Sequence, residues 1–152
     1  MKKLTAIILG LTMALSLAAC GTSGGGETIA SAERMPETVT IQALNANKEM
    51  TDIEVPFDPQ RIAILDMPAL DIVDALGVGD RVVGSAKVTI EYLTKYNPDN
   101  SGGKIANLGS VKTADREQVA ACAPDVIFIG GHLSKFYADL EKIAPDVYLA
   151  VD

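Results

Sequence analysis

An α/β fold is predicted for this chain: a Rossmann-like lobe whose parallel sheet is flanked by helices and preceded by a β-hairpin. Three observations carry the prediction. Residues 59–87 hold a short apolar run (Ile62 to Leu65), a helix-period segment (Ala69 to Leu76), a glycine turn and a second apolar run (Val82, Val83), the signature of a βαβ unit. Two further strand-like runs, Val126–Ile129 and Val147–Val151, alternate with helix-period segments, as a parallel sheet with covering crossovers requires. Ahead of them, Val39–Leu44 and Met50–Val55 alternate apolar and polar residues around the turn residues Asn45-Ala46-Asn47-Lys48, which predicts a hairpin at a sheet edge.

The order of elements follows from local chemistry. Pro56 and Pro59 stop pairing after the hairpin and set an extended entry into the βαβ unit. Asp66 is placed to cap the next helix, and Pro68 falls in its first turn, where a missing N–H costs little. Ala69, Ile72, Val73 and Leu76 repeat at helical spacing and are expected on the buried face, with Asp71 and Asp74 left to water. Thr89–Tyr96 reads as a short polar helix, and residues 97–103 as a loop rich in Asn, Gly and Ser. A helix starting at Thr113 or Asp115 covers Glu117–Ala123 and stops at Pro124. Ser134–Ile143 is expected to be helical with Phe136, Leu140 and Ile143 inward.

The N-terminus carries a targeting signal. Lys2 and Lys3 precede an uncharged apolar run, Leu4–Leu17, that closes in Leu17-Ala18-Ala19-Cys20. This resembles a bacterial lipoprotein signal, which implies cleavage before Cys20 and lipid attachment to its sulfur. The competing reading, a plain membrane anchor, needs roughly 20 apolar residues, and the run here is shorter. Residues 1–19 are therefore expected to be a signal peptide, 20–38 a lipidated cysteine with a flexible Gly/Ser/Thr-rich tether, and 39–152 the folded lobe. With Cys20 lipidated, Cys122 has no intrachain partner and is read as a small core hydrophobe.

Charge narrows the partners. The formal charge of −7 falls to about −9 once Lys2 and Lys3 leave with the leader, and the remainder has no Lys/Arg run, which argues against nucleic acid. Gly77-Val78-Gly79 is not a dinucleotide fingerprint, because the third glycine would fall at Val82 and the glycines follow a helix and precede a strand. Helix C-capping accounts for them better. A single histidine, His132, is weak evidence for a metal site, and no nucleophile–base pair or Gly-x-Ser-x-Gly elbow is present, so the chain is not expected to be an enzyme. Ligands of open parallel sheets bind beyond the carboxyl ends of the strands, which nominates Asp66, Met67, Ser85–Lys87, Gly130–Lys135 and Asp152. Lys87, His132 and Lys135 form a local basic group there, either a pocket for an anionic ligand or simply solvated side chains.

Five runs then carry a family resemblance: Val55-Pro56 through Pro59-Gln60-Arg61-Ile62; Ala69-Leu70-Asp71 with Leu76–Gly84; Ala106–Ser110; Ala123–Ile127; and Ile143-Ala144-Pro145. Over residues 39–152 the chain resembles the iron-siderophore solute-binding lipoproteins of ABC transporters, of the catecholate and petrobactin type. The resemblance implies the first lobe of a two-lobe periplasmic-binding-protein fold, with a long connecting helix and a second lobe that this sequence does not contain. It implies capture of a ferric siderophore in the inter-lobe cleft by Lys87, His132 and Lys135, to which the strand-end rule adds Met67 as a ligand contact, with no metal ligand or cofactor of the protein's own and no catalytic residue. His132 stands where many relatives carry arginine, and imidazole cannot offer the two-pronged fork of a guanidinium. Glu117 matches the acid that meets permease arginines in related receptors; it equally complements the helix dipole. Arg116 stands where relatives usually have an apolar residue. The implied partners are the ferric siderophore, ABC permease subunits and the membrane through Cys20, for a monomer on the extracytoplasmic face of a bacterial membrane. The alternative is a truncated or non-transport interaction module without ligand binding of its own.

Overall fold

The computed structural model describes residues 37–149. Nine strands and three helices follow in chain order: β1 Thr38–Leu44, β2 Met50–Pro56, β3 Ile62–Ile64, α1 Met67–Ala75, β4 Val82–Ser85, β5 Ala106–Asn107, β6 Gly109–Ser110, β7 Thr113–Ala114, α2 Arg116–Ala121, β8 Val126–Gly130, α3 Tyr137–Leu140 and β9 Asp146–Leu149. Seven strands make one sheet in the order β2-β1-β9-β8-β3-β4-β5, while β6 and β7 form a separate two-stranded ribbon. Strands β9, β8, β3, β4 and β5 are mutually parallel, and the antiparallel hairpin β1–β2 sits at the edge, joined to β9 through the pair Leu44 and Tyr148.

Alternation along the strands explains why both faces are covered. On β3, Ile62 and Ile64 enter one core with Leu70, Val73 and Val126, while Ala63 and the following Leu65 enter the other with Ile127, Ile129 and Leu140. Strands buried on both faces read as continuous apolar runs, as 62–65 and 126–129 do. The chain passes from β3 through α1 to β4 on one side, then returns to place β8 on the other side of β3. The β3/β8 boundary is thus the point where the strand order reverses, and a crevice opens there beyond the strand ends.

Helix α1 is set by its caps. The Asp66 carboxylate accepts from the Ala69 N–H at 3.0 Å, and Pro68 occupies the first turn. At the other end Gly77 adopts φ +73, with the Gly77 N–H donating to Asp74 O and the Val78 N–H to Val73 O, a Schellman closure. The expected buried face needs correction. Ala69, Leu70 and Val73 point inward, whereas Ile72 and Leu76 are 58% and 70% exposed. Both sets fit a 3.6-residue period; the helix is rotated so that Leu70 reaches the core and Ile72 faces outward over the edge hairpin side. Asp74 is not simply solvated either, since it accepts from the Tyr96 hydroxyl at 2.5 Å and pairs with Lys95 at 2.6 Å, and these two donors hold its carboxyl below the usual range.

Two other helices differ from expectation. The Glu91–Tyr96 segment is a 3-10 turn that buries Leu93 and Tyr96, so it is not polar all round. The helix expected over 134–143 is split into a 3-10 turn, Gly131–Phe136, and α3; it starts at the strand end, buries Leu133 and Tyr137 as well as Leu140, and leaves Phe136 and Ile143 half-buried. Helix α2 is capped by Asp115, whose carboxylate accepts from the Gln118 N–H at 3.1 Å, and Cys122 at its C-terminus is buried as anticipated.

Candidate functional site

Three neighbouring parallel strands end at one rim. β8 runs into Gly130-Gly131-His132, β3 into Leu65-Asp66-Met67, and β4 into Ser85-Ala86-Lys87, with Ile64 in register with both Phe128 and Ser85. The Leu65 N–H donates to Phe128 O and the Ala86 N–H to Ile64 O, which carries the ladder up to the rim itself. A cleft of about 780 Å³ opens here between the hairpin and α1, bounded by Leu44, Met50, Asp66, Ile72, His132 and Tyr148. Its size lies within the range of small-molecule sites.

The predicted residues that fall within 37–149 each have a definite place. His132 is exposed and lines this cleft. Lys135 belongs to the same 3-10 turn and is exposed, with its ammonium 5.0 Å from the Phe136 ring centroid, a cation–π contact. Lys87 is exposed at the end of β4, its backbone N–H tied to Gly109 O at 3.0 Å. Lys87 and Lys135 share the rim by topology but do not line the cleft that holds His132. Met67 is half-buried and packs against both cores. Cys20 and Asp152 lie outside the described residues.

Two polar groups at the rim gain weight from the geometry. Burial pushes the Asp66 carboxyl up, with the Ala69 amide pulling the other way. The Tyr148 hydroxyl is buried without a hydrogen-bond partner among the described residues, and it sits against Gly131. In the sequence Tyr148 looks like one more apolar position of a strand, and nothing there marks it as a cleft residue. Gly130 is confined for a different reason: a Cβ there would collide with the Asp66 carboxylate. Gly130→Ala is therefore expected to break the α1 cap and cost about 1–3 kcal/mol, read as a lowered thermal midpoint. Unchanged stability would mean that Asp66 has room to swing away.

A second depression adjoins the Lys87 end of the rim, since it is bordered by Gly109, whose carbonyl accepts from the Lys87 N–H. About 660 Å³ in size, it is bordered by Gly109, Ser110, Thr113, Asp115, Arg116 and Glu117, so Glu117 stands exposed in the first turn of α2 beside the β6–β7 ribbon. Among the described residues no group of three or more His, Cys, Asp or Glu side chains is placed to hold a metal ion.

Residues 62–151 match the family model of periplasmic binding proteins. The chain belongs to that family. Across all of its length the binding-protein chain is 33% identical to the petrobactin-binding protein YclQ of Bacillus subtilis, and it spans 45% of that relative. The crystal structure of YclQ superposes with a TM-score of 0.65 at 36% identity, covering 77% of this chain and 39% of YclQ. The ferric-anguibactin-binding protein FatB of Vibrio anguillarum is 33% identical over 97 residues, 62% of this chain and 28% of FatB. The catecholate-siderophore binding protein VctP of Vibrio cholerae gives a TM-score of 0.61 at 29% identity, over 75% of this chain and 38% of VctP. The chain thus spans less than half the length of the relatives it matches. Its mixed α/β architecture, with a mostly parallel sheet flanked by helices, is that of these binding proteins.

Proposed function

We propose that residues 39–152 are the first ligand-holding lobe of a solute-binding protein that captures a ferric siderophore and hands it to an ABC importer without chemical change. The observation that carries this reading is the relatives' shared ligand class: YclQ binds petrobactin, FatB ferric anguibactin and VctP a catecholate siderophore. Lys87, His132 and Lys135 at the strand ends support it, since ferric siderophores of this class are anionic and a cationic rim at the sheet's reversal point suits them. Met67 then acts as a packed support. In the same proposal Cys20 carries a lipid, residues 20–38 tether the lobe to the outer face of the cell membrane, and Glu117 meets the permease. The Glu117 groove and the His132 cleft share no lining residue, so one can hold ligand while the other docks.

The chain has four tyrosines and no tryptophan, and one of them, Tyr148, lines the cleft, so part of the tyrosine emission comes from the site. Titrating the full-length protein with ferric petrobactin and with ferric catecholates is expected to quench that emission saturably. An absence of quenching across the series would sink the ligand assignment. Glu117→Lys is expected to cut radioiron uptake at least tenfold while the quenching titration stays unchanged, since a reversed charge against a cationic partner costs several kcal/mol. Intact uptake would remove Glu117 from the docking role.

A further inference from the structure

Arg116 and Glu117 are consecutive, lie in the first turn of α2 and border the same groove. A guanidinium at this point would oppose a cationic partner, yet its charge is answered. Arg116 Nη1 lies 2.6 Å from Asp139 Oδ2 on α3, and Lys142 Nζ lies 3.1 Å from Asp139 Oδ1. The two cations keep the Asp139 carboxyl below the usual carboxylate range, so it stays ionised. Asp115 is occupied as the helix cap, and Glu117 enters no ion pair among the described residues.

We propose that Asp139 is a positioning residue for this face: by pinning Arg116 it keeps the groove around Glu117 acidic, fitted to a protein partner that presents arginine or lysine. The inference rests on the docking role proposed for Glu117 and adds the residue that makes that role compatible with Arg116. Losing Asp139 removes a negative charge and frees Lys142 and Arg116, the latter next to Glu117 in the chain, which takes the sum over Asp115, Arg116, Glu117, Asp139 and Lys142 from −1 to 0. Direct pairing of Arg116 with Glu117 is not needed, because adjacent helix positions do not face each other; the freed guanidinium acts on the incoming partner. The ion pair is exposed, so its contribution to stability is small and its removal reads out in association.

The test uses the full-length protein in cells lacking their own copy. Asp139→Asn is expected to lower radioiron uptake from ferric petrobactin about two- to fivefold, with the thermal midpoint and the quenching affinity unchanged. The double variant Arg116→Ala with Asp139→Asn is expected to return uptake to the unsubstituted level, and Asp139→Glu to retain it. A merely structural role would not give that rescue. Unchanged uptake in Asp139→Asn, or a double variant as impaired as the single one, overturns the proposal. Where Glu117→Lys abolishes uptake and Asp139→Asn is silent, this inference alone fails; where Glu117→Lys is silent, the docking reading and this inference fall together.

Discussion

Replacing Asp146 by asparagine is expected to stabilise the domain by about 4 kcal/mol at pH 7 and to remove the share of its pH-dependent stability that Asp146 contributes. Asp146 is 2% exposed, and neither carboxylate oxygen has a hydrogen-bond partner among the described residues. It sits at the start of β9, in register with Ile127. Burial there, with a smaller contribution from the nearby Glu141 charge, pushes its carboxyl from 3.8 to about 8. Tyr137 on α3 feels the same acid, and its phenol is raised by burial first and by Glu141 and Asp146 second.

The sign follows from proton counting. The unfolded chain releases this proton near 3.8, whereas the folded chain keeps it until about 8, so between those values the unfolded state binds fewer protons and rising pH favours unfolding. The penalty is absent below about pH 4, reaches about 2 kcal/mol at pH 5.5 and about 4 at pH 7, and levels off above pH 8. The amide of Asp146→Asn does not titrate and carries no such penalty, and Asp146→Leu, which also removes the unpartnered oxygens, is expected to lose the same pH-dependent share. Urea denaturation at pH 5.5, 7 and 8.5 measures it. Parallel profiles for the wild type and both variants would show that Asp146 finds a partner in solution and titrates as an ordinary carboxylate.

Much of this architecture was legible because period and punctuation agreed. The hairpin 39–55, the βαβ unit at 62–85 and the Asp66, Gly77 and Asp115 caps are each a local pattern with one good solution. The rotation of α1 was not legible: Ala69-Ile72-Val73-Leu76 and Ala69-Leu70-Val73 fit the same helix, and only contact with the sheet chooses between them. The start of the segment after β8 was misplaced because Gly130-Gly131 looked like a terminator, although the second glycine begins the 3-10 turn. At the rim, strand ends predicted which residues gather there, while side-chain direction separated His132 in the cleft from Lys87 and Lys135 outside it. Asp146 and Tyr148 were invisible as polar features because burial without a partner is a property of packing, which a strand pattern does not contain.

The strand-end cations carry the other large expected effect. Lys87→Glu and Lys135→Glu are each expected to weaken capture of an anionic ferric complex by about tenfold or more, and together by about a hundredfold or more. The magnitude comes from desolvation: an exposed lysine in water contributes little, but a ligand seated on the rim excludes water from the contact, and a charged hydrogen bond there is worth about 1.5–3 kcal/mol. Lys135 is partly pre-positioned by its contact with the Phe136 ring, so less side-chain freedom is lost when it binds. His132→Arg should move affinity the opposite way, tightening binding about tenfold, because guanidinium supplies a fixed charge and a two-pronged donor at the mouth of the cleft. Quenching titrations of the full-length variants with ferric petrobactin at low and physiological salt distinguish the causes. Losses that shrink as salt rises identify long-range attraction, and losses that persist identify direct contact. A double reversal that binds as tightly as the wild type would move the anion site off these strand ends altogether, leaving the Asp66, His132 and Tyr148 side of the cleft to hold the ligand.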